Sequence, residues 1–233
     1  MIFNILQTAV ETTALTETIA PVQQEMKLSM IDMATKGGWL MGVLLILSII
    51  AIYIFGSKWW MIHKASQLDK NFMKDIRDLI HDGKIKSAIA LCQKYDSPVA
   101  RLVEKGIERI GRPLQDIQTA VENMGNVEVA RLEKNLPMLA TIAGGAPMIG
   151  FLGTVTGMIQ AFFKMSTAGN NIDITLLSGG IYEAMVTTVG GLFVGIIAYF
   201  GYNFLTSQIS NLVFKMESTT IEFIDMLHEP SAK

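Results

Sequence analysis

Residues 135–163 read NLPMLATIAGGAPMIGFLGTVTGMIQAFF, and residues 174–214 read ITLLSGGIYEAMVTTVGGLFVGIIAYFGYNFLTSQISNLVF. Both stretches exceed the roughly 20 apolar residues that an α-helix needs to cross a bilayer. Both are rich in Gly, Ala, Ser and Thr, and such small side chains let helix backbones approach closely inside a membrane. Together they hold a single acidic or basic residue, Glu183. They therefore predict two membrane-spanning helices that carry one carboxylate.

Glu183 is the first candidate functional residue because a carboxylate that faces lipid is costly. At ~1.5 Å per residue, Glu183 lies about 15 Å inward from the start of its helix and Thr188 about 21–22 Å inward. Thr154, on the preceding helix, lies about 18 Å inward. Thr187 shares the face of Glu183, whereas Thr188 points about 140° away. We expect the two helices to be walls of an ion path that these groups line.

Each of these groups also has a structural interpretation. A membrane threonine often donates its hydroxyl to a carbonyl of its own helix. Glu183 could be held in a buried structural hydrogen bond. Close helix packing is expected at six glycines, which include two GxxxG pairs. These glycines are Gly150, Gly153, Gly157, Gly190, Gly191 and Gly195.

A third span is predicted at residues 38–62. Residues 39–57 contain no charged side chain, and this length is enough to cross a bilayer once. Trp39 stands at one end and Trp59 and Trp60 at the other, as in the aromatic belts of membrane interfaces. The alternative, a buried helix of a soluble protein, fits this length and these flanks poorly.

The segment from residue 63 to 134 is charged and is predicted to be a helical domain outside the membrane. Of the 19 Lys and Arg residues, 14 lie between Lys58 and Lys134, which places this segment in the cytoplasm by the positive-inside rule. Helices are expected near 63–81, 84–94, 98–110 and 113–136, with the last continuing into the second span. A DNA-binding helix–turn–helix is the alternative, but 11 Asp and Glu residues in 58–134 oppose it.

The two ends of the chain are predicted to be amphipathic. Residues 1–37 form an N-terminal arm on the periplasmic side, where Val22, Met26, Met30 and Met33 share one helical face. That arm either lies on the membrane surface or packs on a neighbouring subunit, and it lacks the basic region of a signal peptide. Residues 167–173 form a short periplasmic loop. Residues 174–206 form the third span, and 207–233 a cytoplasmic C-terminal helix.

Composition excludes several other functions. The formal net charge of −2 offers no basic stripe for nucleic acid. One cysteine, Cys92, and three dispersed histidines suggest neither a disulfide framework nor a metal site. The GxxxxGK[ST], GxSxG and HExxH signatures are absent, so we expect neither a common enzyme activity nor a cofactor.

Three segments resemble the MotA/TolQ/ExbB proton-channel family. The most specific are APMIGFLGTVTGMIQAF at 146–162 and IYEAMVTTVGGLFVGIIAYFGYN at 181–203, and LIHDGKIKSAIALCQKYDSPVAR at 79–101 is weaker. The resemblance covers about residues 39–223. Three spans with a large insert after the first fit the ExbB and TolQ members, since MotA has four. The longer N-terminal arm favours an ExbB-like chain over a TolQ-like one.

The resemblance implies a homopentamer in the inner membrane of Gram-negative bacteria. In the family this ring surrounds two single-span helices of an ExbD- or TolR-like partner, each with one aspartate. Proton flow then drives a TonB- or TolA-like protein that acts on the outer membrane. Carried over by motif, the pore residues are Thr154, Glu183 and Thr188. Thr187 is an extra hydroxyl where the family pattern leads us to expect a small residue.

The residues themselves favour the same function. One carboxylate per chain is too sparse for a proton relay within one subunit, whereas a ring with an acidic partner inside it would bring relay groups close together. The expected fold is therefore an all-α membrane protein with three transmembrane helices, long cytoplasmic helical extensions and a homo-oligomeric ring. A non-conducting scaffold is the second hypothesis. A solute transporter is disfavoured because no inverted repeat is visible.

Overall fold

The computed structural model describes residues 37–66, 69, 71–167 and 174–228. Within this range nothing is described of the side chains of Ile174 and Leu176. The predicted arm before Gly37, the loop at 168–173 and the end of the chain at 229–233 lie outside the described residues.

The described residues form seven α-helices and no β-strand, which confirms the all-α prediction. The helices are α1 (Gly38–Ala65), α2 (Phe72–His81), α3 (Ile85–Lys94), α4 (Pro98–Ile107), α5 (Leu114–Glu133), α6 (Leu136–Thr167) and α7 (Ile174–His228). In the part of the chain that the structure describes, three helical segments are long and apolar enough to cross a membrane. The first is α1, the second includes α6 and the third lies within α7, in agreement with the three predicted spans.

The three long helices pack on one another through one face each. α6 and α7 share the most extensive interface, and α1 packs against both. Leu44 of α1, Leu139 and Ala146 of α6, and Ala198 and Leu205 of α7 are buried there. Large apolar side chains cover the outer faces, as expected for helices surrounded by lipid or by other subunits.

The insert, which comprises α2 to α5, packs on the inner part of α7, and its buried residues continue the hydrophobic core of the spans. Phe72, Ile76, Val103 and Val121 are almost completely buried. Phe223 of α7 is buried against α4, where a Cβ atom on Gly106 would overlap its ring. α7 is one helix of 55 residues, about 82 Å long, with no break at the predicted boundary between 206 and 207.

Two helix predictions were wrong in their boundaries. The expected helix 63–81 is divided, because α1 runs on to Ala65 and α2 begins only at Phe72. The end of α1 is fixed by the insert, since the buried Ser97 hydroxyl donates to Ala65 O at 3.2 Å.

The expected continuous passage from 113–136 into the second span was also wrong. Lys134 and Asn135 interrupt the helix, and Asn135 adopts the left-handed conformation with φ 71°. Asn tolerates this conformation better than most residues, and Pro137 suits the first turn of α6. From α1, Lys58 donates to Leu132 O at 2.9 Å and to Arg131 O at 3.2 Å, so a lysine ammonium caps the end of α5.

Candidate functional site

The interface between α6 and α7 is built from small residues whose backbones meet directly. A Cβ atom on Gly191 would lie 2.6 Å from Ala146 O and 2.8 Å from Gly150 Cα. A Cβ atom on Gly150 would lie 3.1 Å from Thr188 Cα and from Thr187 O. The distances at Gly191 leave no room for a side chain larger than hydrogen, and those at Gly150 would force a neighbouring backbone atom to shift. We call α6 and α7 the wall helices.

The other four glycines predicted to pack closely differ in the residues that they contact. Gly153 faces Thr187 and Gly157 faces Ala184, so both belong to the wall interface. Gly195 lies against Pro147, which removes a helical hydrogen bond inside α6. Gly190 instead faces α1, where an added Cβ would lie 3.1 Å from Met41 Sδ.

Thr188 connects the two wall helices. Its Oγ1 donates to Gly150 O of α6 at 2.8 Å rather than to a carbonyl of its own helix. Because Gly150 has no side chain, the hydroxyl can reach this carbonyl across the interface. Thr188 is half-buried, so it also borders the surface of the wall pair.

Thr154 lies on the outer surface of α6. Its Oγ1 donates to Phe151 O at 2.6 Å, the hydrogen bond to its own helix that the structural interpretation anticipates. It lines a shallow groove made only of α6 residues between 154 and 166. Glu183 is not among the residues that line this groove.

Glu183 is exposed on α7 and lies beside the beginning of α1. A Cβ atom on Gly38 would overlap its Oε1 atom. One turn further along α7, Thr187 is buried, with Oγ1 2.9 Å from Glu183 O and 3.2 Å from Gly37 O. The structure thus brings Glu183 and Thr187 together on the face that meets α1, with Thr188 turned toward α6.

This arrangement changes the expected relation between Trp39 and Glu183. The sequence places Trp39 at the membrane boundary and Glu183 about 15 Å inside it. In the structure Trp39 directly follows Gly38, which is next to the Glu183 carboxylate. The two residues therefore lie at nearly the same level, and α6 and α7 extend beyond the start of α1.

The insert holds a second polar cluster, which the sequence analysis did not single out. Arg101 binds Glu128 through two hydrogen bonds, Nε to Oε1 at 2.9 Å and Nη2 to Oε2 at 2.7 Å. The hydrogen bonds that Arg101 donates to the buried Glu128 raise the pKa of Arg101. The hydrogen bond from Lys64 holds the pKa of Asp96 below its usual value, and Arg101 adds to this effect. These pairs connect α4, α5 and the end of α1, so the cluster is structural.

No metal or redox site is suggested by the described residues. They contain no group of three His, Cys, Asp or Glu side chains that could hold a metal ion. Burial raises the pKa of Cys92 to about 12, so the thiol is neutral at physiological pH and packs in the core of the insert.

Helices of this length and apolarity, with one carboxylate on a wall of small residues, define a polytopic α-helical membrane protein. Residues 94–218 match the family model described as the MotA/TolQ/ExbB proton channel family. The match covers more than half of the chain and includes Thr154, Glu183, Thr187 and Thr188. The chain belongs to this family.

Several relatives have names from two branches of the family. A protein named as an ExbB homolog in Methanothermobacter thermautotrophicus is 26% identical over 193 residues, 81% of this chain and 67% of that protein. The Tol-Pal system protein TolQ of Haemophilus influenzae is 36% identical over 103 residues, 44% of this chain and 45% of that protein. The biopolymer transport protein ExbB of Xanthomonas campestris is 35% identical over 91 residues, 39% and 36% of the two chains.

Proposed function

We propose that this chain is the proton-conducting subunit of an inner-membrane motor driven by the proton motive force. The observation that supports it most is Glu183, the only acidic or basic residue in the two apolar wall stretches, with an exposed carboxylate in the single chain. An exposed carboxylate at membrane depth is costly unless water or protein surrounds it. A ring of subunits with a wet interior meets this requirement.

The proposed assembly is a homopentamer that surrounds the helices of an ExbD- or TolR-like partner. Large apolar side chains such as Phe151, Val155 and Phe193 are exposed on the wall helices and are available for contacts with neighbours, partner helices and lipid. The transported ion is proposed to be H⁺, carried between Glu183 and the partner's acid. Thr154 and Thr188 border the same path, and no cofactor or covalent reaction is required.

The proposed topology follows from the distribution of positive charge. Lys58, Lys64, Arg131 and Lys134 flank the ends of two spans on the side of the insert. This excess places the insert and the inner part of α7 in the cytoplasm and the loop between α6 and α7 in the periplasm. Force would reach the outer membrane through a TonB-like protein in an ExbB-like system.

A TolQ-like role in the Tol-Pal system is the second candidate, because relatives of both names match the chain. The two systems differ in the small subunit and in the periplasmic protein that receives the force. Affinity purification of the chain from its native membrane, followed by mass spectrometry, separates them. Recovery of a TonB-like protein supports the first role, and recovery of a TolA-like protein supports the second.

The decisive experiment is Glu183→Gln, which removes the titrating proton and keeps the size of the side chain. We expect proton flux in liposomes that contain the chain and its small partner to disappear, while the oligomer elutes unchanged in size-exclusion chromatography. Glu217→Gln is the matched control, since Glu217 is exposed on the same helix in its inner part. Flux in Glu183→Gln equal to that of the wild type would exclude Glu183 as the carrier.

A non-conducting scaffold is the remaining alternative, and it gains support from the threonines. The hydroxyls of Thr154, Thr187 and Thr188 all donate to backbone carbonyls, as structural groups do. The same liposome assay distinguishes this alternative: a scaffold gives no proton flux with the wild-type chain and its partner under any membrane potential.

A further inference from the structure

The beginning of α1 tightly constrains the region around Glu183. Gly38 has φ 64°, a conformation that residues with side chains rarely adopt. A Cβ atom there would also overlap Oε1 of Glu183. The backbone conformation at position 38 therefore favours glycine, and a side chain there would in addition displace the Glu183 carboxylate.

Thr187 holds this part of α1 against the wall helices. Its Oγ1 lies within hydrogen-bonding distance of Gly37 O and of Glu183 O, so its one hydrogen is shared between α1 and α7. Its Cγ2 methyl faces α6, where a Cβ atom on Gly153 would lie only 2.5 Å away. Thr187 is 2% exposed and therefore contacts all three spans from a buried position.

The first turn of α1 also lies beside the carboxylate. Gly37 is the N-cap residue and provides no side-chain hydrogen bond to this turn. The first N–H groups of a helix have no partner within the helix, and that end of the helix is positive. The Glu183 carboxylate therefore lies where a negative charge is attracted.

From these contacts we infer that Thr187, Gly37 and Gly38 are positioning residues that hold the Glu183 carboxylate at the beginning of α1. This inference rests on the proposed role of Glu183 in proton transfer. It assigns different roles to the two adjacent threonines. Thr188 links α7 to α6 at the border of the path, whereas Thr187 holds the beginning of α1, which lies beside Glu183.

The first test compares Thr187→Val with Thr187→Ser in the complete assembly with its partner. Valine keeps the methyl group that faces Gly153 and removes both hydrogen bonds, while serine keeps the hydroxyl. We expect Thr187→Val to lower proton flux about tenfold or more, because small displacements of a reacting group reduce rates strongly. Thr187→Ser should retain most of the flux. Wild-type flux in Thr187→Val would overturn the inference.

The second test measures the contact between Gly38 and Glu183 without any flux. Gly38→Ala is made with Glu183 present and in a Glu183→Ala background, and the Tm of each purified oligomer is recorded. Backbone strain at position 38 is common to both backgrounds. The difference between the two losses in Tm therefore measures the overlap of the added Cβ atom with the carboxylate. We expect the loss in Tm to be about 2 °C or more larger when Glu183 is present.

Gly42→Ala is the matched control for this cycle, because an added Cβ at Gly42 meets nothing within 4 Å. Its Tm should change equally in the two backgrounds. Equal losses for Gly38→Ala in both backgrounds would overturn the inference, whatever the flux of Thr187→Val. If Glu183→Gln conducts protons, the proposed function fails. The Tm measurements still test the contact between Gly38 and Glu183, because they do not depend on proton flux.

Discussion

The wall helices and the insert are stabilised by different means. In the wall interface, Gly150 and Gly191 bring two backbones into direct contact. In the insert, large side chains such as Phe72 and Ile76 pack in a core together with Phe223 of α7, and Arg101 neutralises the buried Glu128. The difference follows from the surroundings, because burial in lipid provides little hydrophobic driving force between helices, whereas burial from water provides much.

This comparison predicts which changes each region tolerates. The wall pair should be sensitive to added atoms, since a single methyl group meets backbone. The insert should be sensitive to removed atoms or charges, since its contacts are made by side chains. Three substitutions test the contrast, and they follow in order of decreasing effect on stability.

Arg101→Leu should give the largest loss, about 3 kcal/mol in the free energy of unfolding. The change leaves the Glu128 carboxylate, whose side chain is only 3% exposed, without its bidentate partner. Chemical denaturation of the purified chain in detergent measures the loss. Arg112→Leu, at an exposed position in the turn before α5, is the control and should cost far less. Similar losses for the two variants would mean that the pair contributes little.

Gly191→Ala should cost about 2 kcal/mol, because the added methyl group would meet Ala146 O and Gly150 and force the wall helices apart. Thermal unfolding of the oligomer provides the measurement. Gly145→Ala is the matched control on α6, where an added Cβ meets nothing within 4 Å. Alanine at position 145 should be neutral or slightly stabilising, because it is the better helix former. A stable Gly191→Ala oligomer would contradict the close approach of the two backbones.

Asp96 should give the smallest effect and one that depends on pH. Its pKa is lowered by the hydrogen bond from Lys64, so its pairing stabilises the fold above the ordinary carboxyl pKa of 3.8 and is lost as the pH falls below it. Asp96→Asn should remove a small part of the stability at pH 6, about 1 °C or less in Tm, because the pair is exposed. The difference from the wild type should shrink as the pH falls below 3.8 and should vanish below the lowered pKa of Asp96. A difference that persists there would point to a cause other than ionisation.

The elements of the fold could be predicted from the sequence where one signal dominated. Uninterrupted apolar length predicted α1, α6 and α7, and apolar periodicity with turn residues predicted α3, α4 and most of α5. The interruption at Asn135 was missed because a helix-favouring pattern continues on both sides of it. The hydrogen bond that caps the end of α5 there is donated by Lys58, more than 70 positions earlier in the chain.

The candidate site was predictable in its members but not in its arrangement. Glu183 stands out because it is the one carboxylate in two apolar stretches, and helical periodicity separates the faces of Thr187 and Thr188. The contact of Glu183 with Gly38 joins residues 145 positions apart, and no local pattern indicates it. Gly190 likewise shared its glycine-rich motif with Gly191 but faces a different helix.

The sequence by itself determined that this is a three-span helical membrane protein with one acidic residue in the apolar stretches 135–163 and 174–214. It could do so because hydrophobic length and the cost of a charge in lipid are properties of local composition. Only the tertiary structure decided which backbone each glycine touches, which carbonyl each threonine binds and where α1 begins relative to Glu183. Those outcomes depend on how separate helices approach one another, and that approach is set by close packing between residues distant in the chain.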